Sequence, residues 1–323
     1  MAGIGVVTNP RSRKNRRNPV MAETLAYVLG ERDHFSAPTS LEALAETARR
    51  FRDHEIDVLC VNGGDGTIHQ VMTAMVRAYA GSPLPEIAIL RGGTMNIVAE
   101  SMGNRIRPEE MLEQVVSSYH GSTPLPETQL RLLEVDLDDG NPPLYGFISG
   151  NGIIPRFLER YYDRPDPSPV DAAWLLFRAA LSAVVGGNLA RTLTEPTAGT
   201  IQLDGTPWPH EEWIAVAIGS VEQIGLGFPV FHRVSAHPDH FQVVGVGSSV
   251  ATLALGLPRL YRGRGIGGEN NFTDVAQEVV LQGPPNEPMT IDGDLYHTPS
   301  GRIRYTVGPQ ITVRLPRPRL QTR

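Results

Sequence analysis

Lysine is almost missing from this 323-residue chain. Lys14 is the only one, and arginine supplies the rest of the 29 basic side chains. That excludes the usual P-loop, whose lysine follows its glycine-rich turn at fixed spacing, and the lysine of the protein-kinase signature. Cysteine is equally scarce: Cys60 stands alone, which excludes an intrachain disulfide framework and a thiolate metal cluster. No run reaches the ~18 consecutive apolar residues that a membrane-spanning helix needs. The start of the chain turns polar at Asn9-Pro10-Arg11, too soon for a signal peptide. A formal charge of -6 leaves no global attraction to nucleic acid. The expectation is a cytoplasmic protein, with membrane contact at most peripheral. Nothing in the sequence sets the oligomeric state, and a homodimer is admitted.

What is present is ordinary globular material, 41 % hydrophobic and 20 % charged, so extensive disorder is excluded. The length suits two domains. Apolar runs at 3–8, 56–61 and 87–90 read as buried strands. Helical spacing marks 18–30, 68–79 and 94–102, and a helix from the cap residue Ser40 to Arg52 with Leu41, Leu44, Ala45 and Ala48 on one face. Strands alternating with helices imply a doubly wound parallel sheet over residues 1–124, with ligands at the carboxyl ends of its strands. After Pro124 the pattern changes. Runs at 130–137, 144–149, 201–203, 213–218, 241–246, 278–281, 289–291, 303–307 and 311–315 read as strands, with an apolar helix at 170–185. These define a mostly antiparallel β domain, a sandwich, over 125–315. A tail follows at 316–323, and the last strand or tail is free to pack back on the first domain.

Three turns rich in glycine or asparagine follow three strands of the first domain. They are Thr8-Asn9-Pro10-Arg11-Ser12, Asn62-Gly63-Gly64-Asp65-Gly66-Thr67 and Arg91-Gly92-Gly93-Thr94-Met95-Asn96. Glycine lets backbone approach a ligand closely. Exposed N–H groups and the positive end of a helix attract an anion, so such turns hold phosphates without a lysine. A lone Gly-Gly pair is as readily a tight turn. Asp65 is less easily explained that way, because a carboxylate inside a phosphate loop is repelled unless it binds Mg²⁺ or a reacting hydroxyl.

In order and approximate spacing these motifs resemble the diacylglycerol kinase catalytic domain, and the whole chain is similar to bacterial diacylglycerol kinases and sphingosine kinases. The resemblance implies a two-domain, NAD-kinase-like fold with the active site in an interdomain cleft. It implies transfer of the γ-phosphoryl group of ATP, with Mg²⁺, to the hydroxyl of a lipid such as diacylglycerol, sphingosine or ceramide at a membrane surface. Asn9, Pro10, Arg11, Ser12, Gly63, Gly64, Asp65, Gly66, Thr67, Gly93, Thr94 and Asn96 would bind the nucleotide. Three positions depart from the pattern: Arg13 stands for a glycine, and His69-Gln70 for Asn-Glu.

Thr290-Ile291-Asp292-Gly293-Asp294 taken alone reads most simply as a hairpin turn. The family carries Asp-Gly-Glu there and takes its general base from those carboxylates. The resemblance therefore makes Asp292 or Asp294 the proton acceptor, beside Asp65, without ranking them. The family also has an Asp-Gly turn that holds a structural magnesium. Asp239-His240 stands there, and Asp239 is the one metal ligand expected. Gly263 to Gly268 has dinucleotide-fingerprint spacing without a strand-helix context, and His232, His237 and His240 lack the spacing of a metal site. The cluster Arg11, Arg13, Lys14, Arg16 and Arg17 is a solvated face, a phosphate contact or an attraction to anionic lipid. Residues 172–185 read first as a buried helix; a membrane-facing role is the lesser reading for them and for 253–261. Two other functions remain open: an NAD kinase-like activity, which shares Gly-Gly-Asp-Gly, and an inactive nucleotide- or lipid-binding homologue.

Overall fold

A computed structural model describes residues 3–121, 123–162, 195–224, 228–247 and 270–318, together with 256, 259, 261–265, 267 and 268. The chain divides into two compact units, residues 1–130 with 310–323, and residues 131–309. The expected helix at 170–185 and nearly all of 253–261 lie outside the described residues.

The first unit is a parallel sheet flanked by helices. Its strands are β1 (Ile4–Thr8), β2 (His34–Ser36), β3 (Val58–Asn62) and β4 (Glu86–Ile89). Its helices are α1 (Arg13–Arg17), α2 (Met21–Leu29), α3 (Leu41–Asp53), α4 (Asp65–Tyr79), α5 (Ile97–Ser101) and α6 (Pro108–His120). The order β4-β3-β1-β2 is parallel throughout, with Thr8 beside Asn62 and Val61 beside Ile89. β1 and β3 are buried at every position, as strands covered on both faces must be. α2 and α6 close one face over Ile4, Val6, Val58, Cys60 and Ala88. Ser40 caps α3 by accepting the Ala43 N–H at 3.2 Å. Leu41, expected on the buried face, is 60 % exposed because it precedes the first packed turn; Leu44, Thr47, Ala48 and Phe51 form that face.

The second unit is a β-sandwich. Its elements are β5 (Glu127–Asp136), β6 (Leu144–Gly146), β7 (Ile148–Gly152), α7 (Ile153–Tyr162), β8 (Thr197–Ala198), β9 (Thr200–Leu203), β10 (Thr206–Pro207), β11 (Glu212–Trp213) and β12 (Ala215–Gly219). There follow β13 (Phe241–Val246), β14 (Asn271–Ala276), β15 (Glu278–Gln282), β16 (Glu287–Ile291), β17 (Asp294–Thr298) and β18 (Arg302–Arg314). One sheet runs β14-β13-β12-β7-β16-β17, antiparallel throughout. Facing it, β10-β9-β15 pair with β18, and β5 pairs with β18 and β6. The two inner faces share one core, with Leu133, Ile201, Val279 and Tyr305 against Val216, Ile218, Val243 and Met289.

Residues 125–130 and 310–315, assigned above to the β domain, group with the first unit. The strands read at 303–307 and 311–315 are one strand, β18. It outlasts its partner β15, and its end pairs in parallel with β4 through Val313 to Ile87 and Arg314 to Ala88. Arg314 secures that end, with Nε and Nη2 each 2.6 Å from a Glu86 oxygen and Nη1 2.8 Å from Glu127.

Candidate functional site

Because β1, β3 and β4 are neighbours in register, the three turns that follow them emerge side by side. The second and third stack backbone on backbone. A methyl on Gly93 would sit 2.2 Å from Gly64 Cα, and one on Gly92 would sit 2.9 Å from Gly63 N. Gly92 N–H donates to Gly63 O at 2.7 Å. The glycines therefore have a cause inside the protein, since no Cβ fits between the two loops. The first turn is tied to both. Asn9 Nδ2 donates to Thr67 Oγ1 at 2.8 Å, and Ser12 Oγ donates to Gly92 O at 3.1 Å.

α4 begins at Asp65, three residues earlier than its apolar spacing suggests, with Gly64 as an extended cap. Asp65, Gly66 and Thr67 thus form the first turn of a 15-residue helix, where N–H groups lack partners within the helix and the dipole is positive. Asp65 is not directed into open space. Its Oδ1 accepts the Val98 N–H at 3.1 Å, which joins the second loop to the start of α5. Burial raises the Asp65 carboxyl above the ordinary range, while the amides of Val98 and Ile97 oppose that rise.

α5 starts at Ile97, later than expected, because Gly93 to Asn96 closes on itself. Asn96 adopts a left-handed φ of 51°, accepts the Gly93 N–H and donates to Gly93 O, both at 2.9 Å. Its carboxamide shapes the loop and is buried in doing so. Beside this loop stand three charges. Arg91 Nη2 pairs with Glu100 at 2.8 Å, and Arg91 Nε is buried with no hydrogen-bond partner. Lys14 lies close by, its ammonium lowered by burial first and by Arg91 second, against the pull of Glu100.

The structure brings together Asn9, Pro10, Arg11, Ser12, Gly63, Gly64, Asp65, Gly66, Thr67, Gly93, Thr94 and Asn96 at these three strand ends. Asn15 was missed, and Asn62, named above as the start of the second turn, was given no role of its own. Both are buried, and Asn15 Nδ2 donates to Asn62 Oδ1 at 2.6 Å. The available signal was a polar residue closing the apolar run Val58 to Val61.

Asp292 and Asp294 belong to the second unit. Ile291 pairs with Asp294, so Asp292-Gly293 is a two-residue hairpin with φ of 47° and 88°, a type I′ pattern. The Asp292 side chain is buried and accepts two backbone amides, Ile148 at 2.8 Å and Phe147 at 3.0 Å. It thereby holds the junction of β6 and β7 to the hairpin. Asp294 opens β17 and is less buried.

Asp239 does not fit the metal role expected of it. Its carboxylate is 65 % exposed and lies 2.8 Å from the Arg131 guanidinium, a fixed positive charge that opposes a cation. Among the described residues no group of three or more His, Cys, Asp or Glu side chains could hold a metal.

Three strand-end loops thus stack at the N-terminus of α4, with Lys14 and Arg91 beside them. Residues 3–124 match the model of the diacylglycerol kinase catalytic domain. Two solved structures from Bacillus anthracis str. Sterne share the fold of the whole chain. A diacylglycerol kinase aligns with a TM-score of 0.63 and 15 % identity over 98 % of this chain and 97 % of its own. A protein provisionally assigned as a diacylglycerol kinase aligns with a TM-score of 0.66, at the same identity and coverage. No curated protein sequence matches the chain.

Proposed function

We propose that this protein is an ATP-dependent lipid kinase. The observation that carries the reading is the convergence of three backbone loops on the N-terminus of α4, in a segment that matches the diacylglycerol kinase catalytic-domain model. A magnesium-chelated ATP is the donor substrate. Its phosphates would lie against the amides of Gly64 to Thr67, with Lys14 and Arg91 supplying positive charge. Asp65 would keep the second loop and the Thr94 loop in one geometry. Asn96 would act by shaping its loop.

The reaction forms a bond from the acceptor oxygen to the γ-phosphorus and breaks the bond to the β–γ bridging oxygen, which leaves with ADP. The acceptor's proton goes to a carboxylate, for which Asp292 and Asp294 are proposed. Two backbone amides, of Phe147 and Ile148, fix the orientation of the Asp292 carboxylate. The acceptor is a lipid alcohol such as diacylglycerol, sphingosine or ceramide. The lipid would be reached by peripheral contact with the membrane; no helix among the described residues is long and apolar enough to cross one.

The test is a radiolabelled-ATP assay against mixed lipid vesicles and, separately, against NAD. Labelled phospholipid is expected, with a fall of about 10²–10⁴-fold for whichever of Asp292→Asn and Asp294→Asn removes the base. Label on NAD, or on nothing, overturns the proposal.

A further inference from the structure

We propose that Asn62 is the positioning residue that sets the spacing of the phosphate loops, acting through a carboxamide that accepts and donates at once. The proposal rests on the nucleotide-binding reading above and names the residue that preorganises its site.

Asn62 ends β3, one residue before Gly63, and none of its surface is exposed. Its Oδ1 accepts from Thr8 Oγ1 at 2.8 Å and from Asn15 Nδ2 at 2.6 Å. Its Nδ2 donates to Leu90 O at 2.6 Å. Thr8 closes β1 and leads the first loop, Asn15 lies in α1 just after that loop, and Leu90 leads the third. Asn15 Nδ2 also donates to Asn9 O at 2.7 Å, and Asn9 N–H donates to Asn62 O at 2.9 Å. One side chain therefore touches a residue leading into or following each of the other two loops.

Only a carboxamide makes this set of bonds. Leucine has the size without the polarity, and an ionised aspartate has the shape without a donor. A buried polar group is costly unless its bonds are made, and a network with its bonds made rigidifies what it joins. With Asn62 gone the loops keep their glycine stacking but lose their common fixed point. A misplacement of about 1 Å in such a site can cost about 10²-fold in rate.

The test uses the full chain with Asn62→Asp and Asn62→Leu, and reads MgATP affinity by calorimetric titration at pH 8 and pH 5.5. A carboxylate at 62 faces Leu90 O and cannot donate; protonated, it donates again, and burial favours that form. Thr8, Asn15 and Leu90, which touch it, are uncharged, and comparison with wild type at each pH removes the titration of Asp65. Asn62→Asp is expected to bind about tenfold more weakly at pH 8 and to return within about threefold of wild type at pH 5.5, while Asn62→Leu stays weak at both. Wild-type affinity in both variants, or weakening of Asn62→Asp that ignores pH, overturns the proposal.

Should these variants fail to fold, Asn15→Ala removes only the α1 arm. It is expected to raise the KM for MgATP about tenfold with kcat within about twofold. An unchanged KM overturns the proposal. A ligand-free arm measures hydrogen exchange at the Asn9 and Gly92 amides, expected to quicken in Asn62→Leu and Asn15→Ala. A wild-type protein that binds no MgATP sinks the kinase reading, and the exchange arm then judges Asn62 alone, with unchanged protection counting against it.

Discussion

Replacing Gly93 with alanine tests the claim that the glycine loops exist to stack on each other. The new methyl would lie 2.2 Å from Gly64 Cα, where ordinary contact begins near 3.4 Å, so the loops must part by roughly 1.2 Å. Neither side can yield by rotating a side chain, because the obstacle is backbone. The Gly92 N–H to Gly63 O bond, 2.7 Å in the native protein, would stretch beyond useful length. Overpacking of this kind costs about 1–3 kcal/mol and a lost backbone bond about 1 more, or about 2–4 kcal/mol in total. The chain carries its own reporter. Cys60 is the only cysteine, fully buried in β3 two residues before Asn62. Its modification by a thiol reagent requires the first unit to open. Labelling should accelerate roughly 30- to 700-fold in Gly93→Ala, since each 1.4 kcal/mol is a factor of ten. Tryptophan fluorescence is the contrasting probe, as all three tryptophans lie within 131–309. Gly64→Ala is a graded control, because its methyl would sit 3.1 Å from Gly93 Cα and should cost less. Labelling of Gly93→Ala at the wild-type rate would refute the stacking argument.

Three further expectations concern charge. The Asp65 carboxyl is raised by burial, so its contribution to stability is present below its unfolded pKa and is lost as pH rises through the folded one. Asp65→Asn should therefore raise the melting temperature of the first unit at pH 8 and leave it near wild type at pH 4, as followed by Cys60 exposure. His34 is lowered, by burial first and then by His54, whose ring stacks on it at 4.4 Å. Its unfolded form binds protons more readily, so stability should fall as pH drops from about 6.5 toward the lower folded value. His54→Ala should flatten that slope in chemical denaturation. Arg314→Met leaves Glu86 and Glu127 without their shared partner, and should lower the denaturation free energy of the first unit by about 1–3 kcal/mol.

Much of the architecture was legible in the residues. Apolar runs of five or six ending in turn residues mark β1 and β3, and Ser40 marks the start of α3, because burial on both faces and helix capping act over a few residues. Element ends were less legible. α4 begins inside the glycine motif because Gly64 is extended enough to cap it, and α5 begins late because Asn96 folds back on Gly93. β18 read as two strands because the Gly308-Pro309 pair looks like a break. The strand passes through it and serves both units.

The sequence by itself determined which segments are strands, where the three loops fall, and that no lysine-based phosphate loop is present, since these follow from residue type and spacing. Only the tertiary structure decided what those residues touch. Parallel pairing of β1, β3 and β4 made neighbours of Thr8, Asn62 and Leu90, positions up to 82 residues apart in the chain. It turned the glycines into a stacking surface, and Asp65, Asn96 and Asp292 into acceptors for particular backbone amides. Hydrogen bonds and close contacts act over a few ångströms in space, and distance along the chain does not reveal which groups will share them.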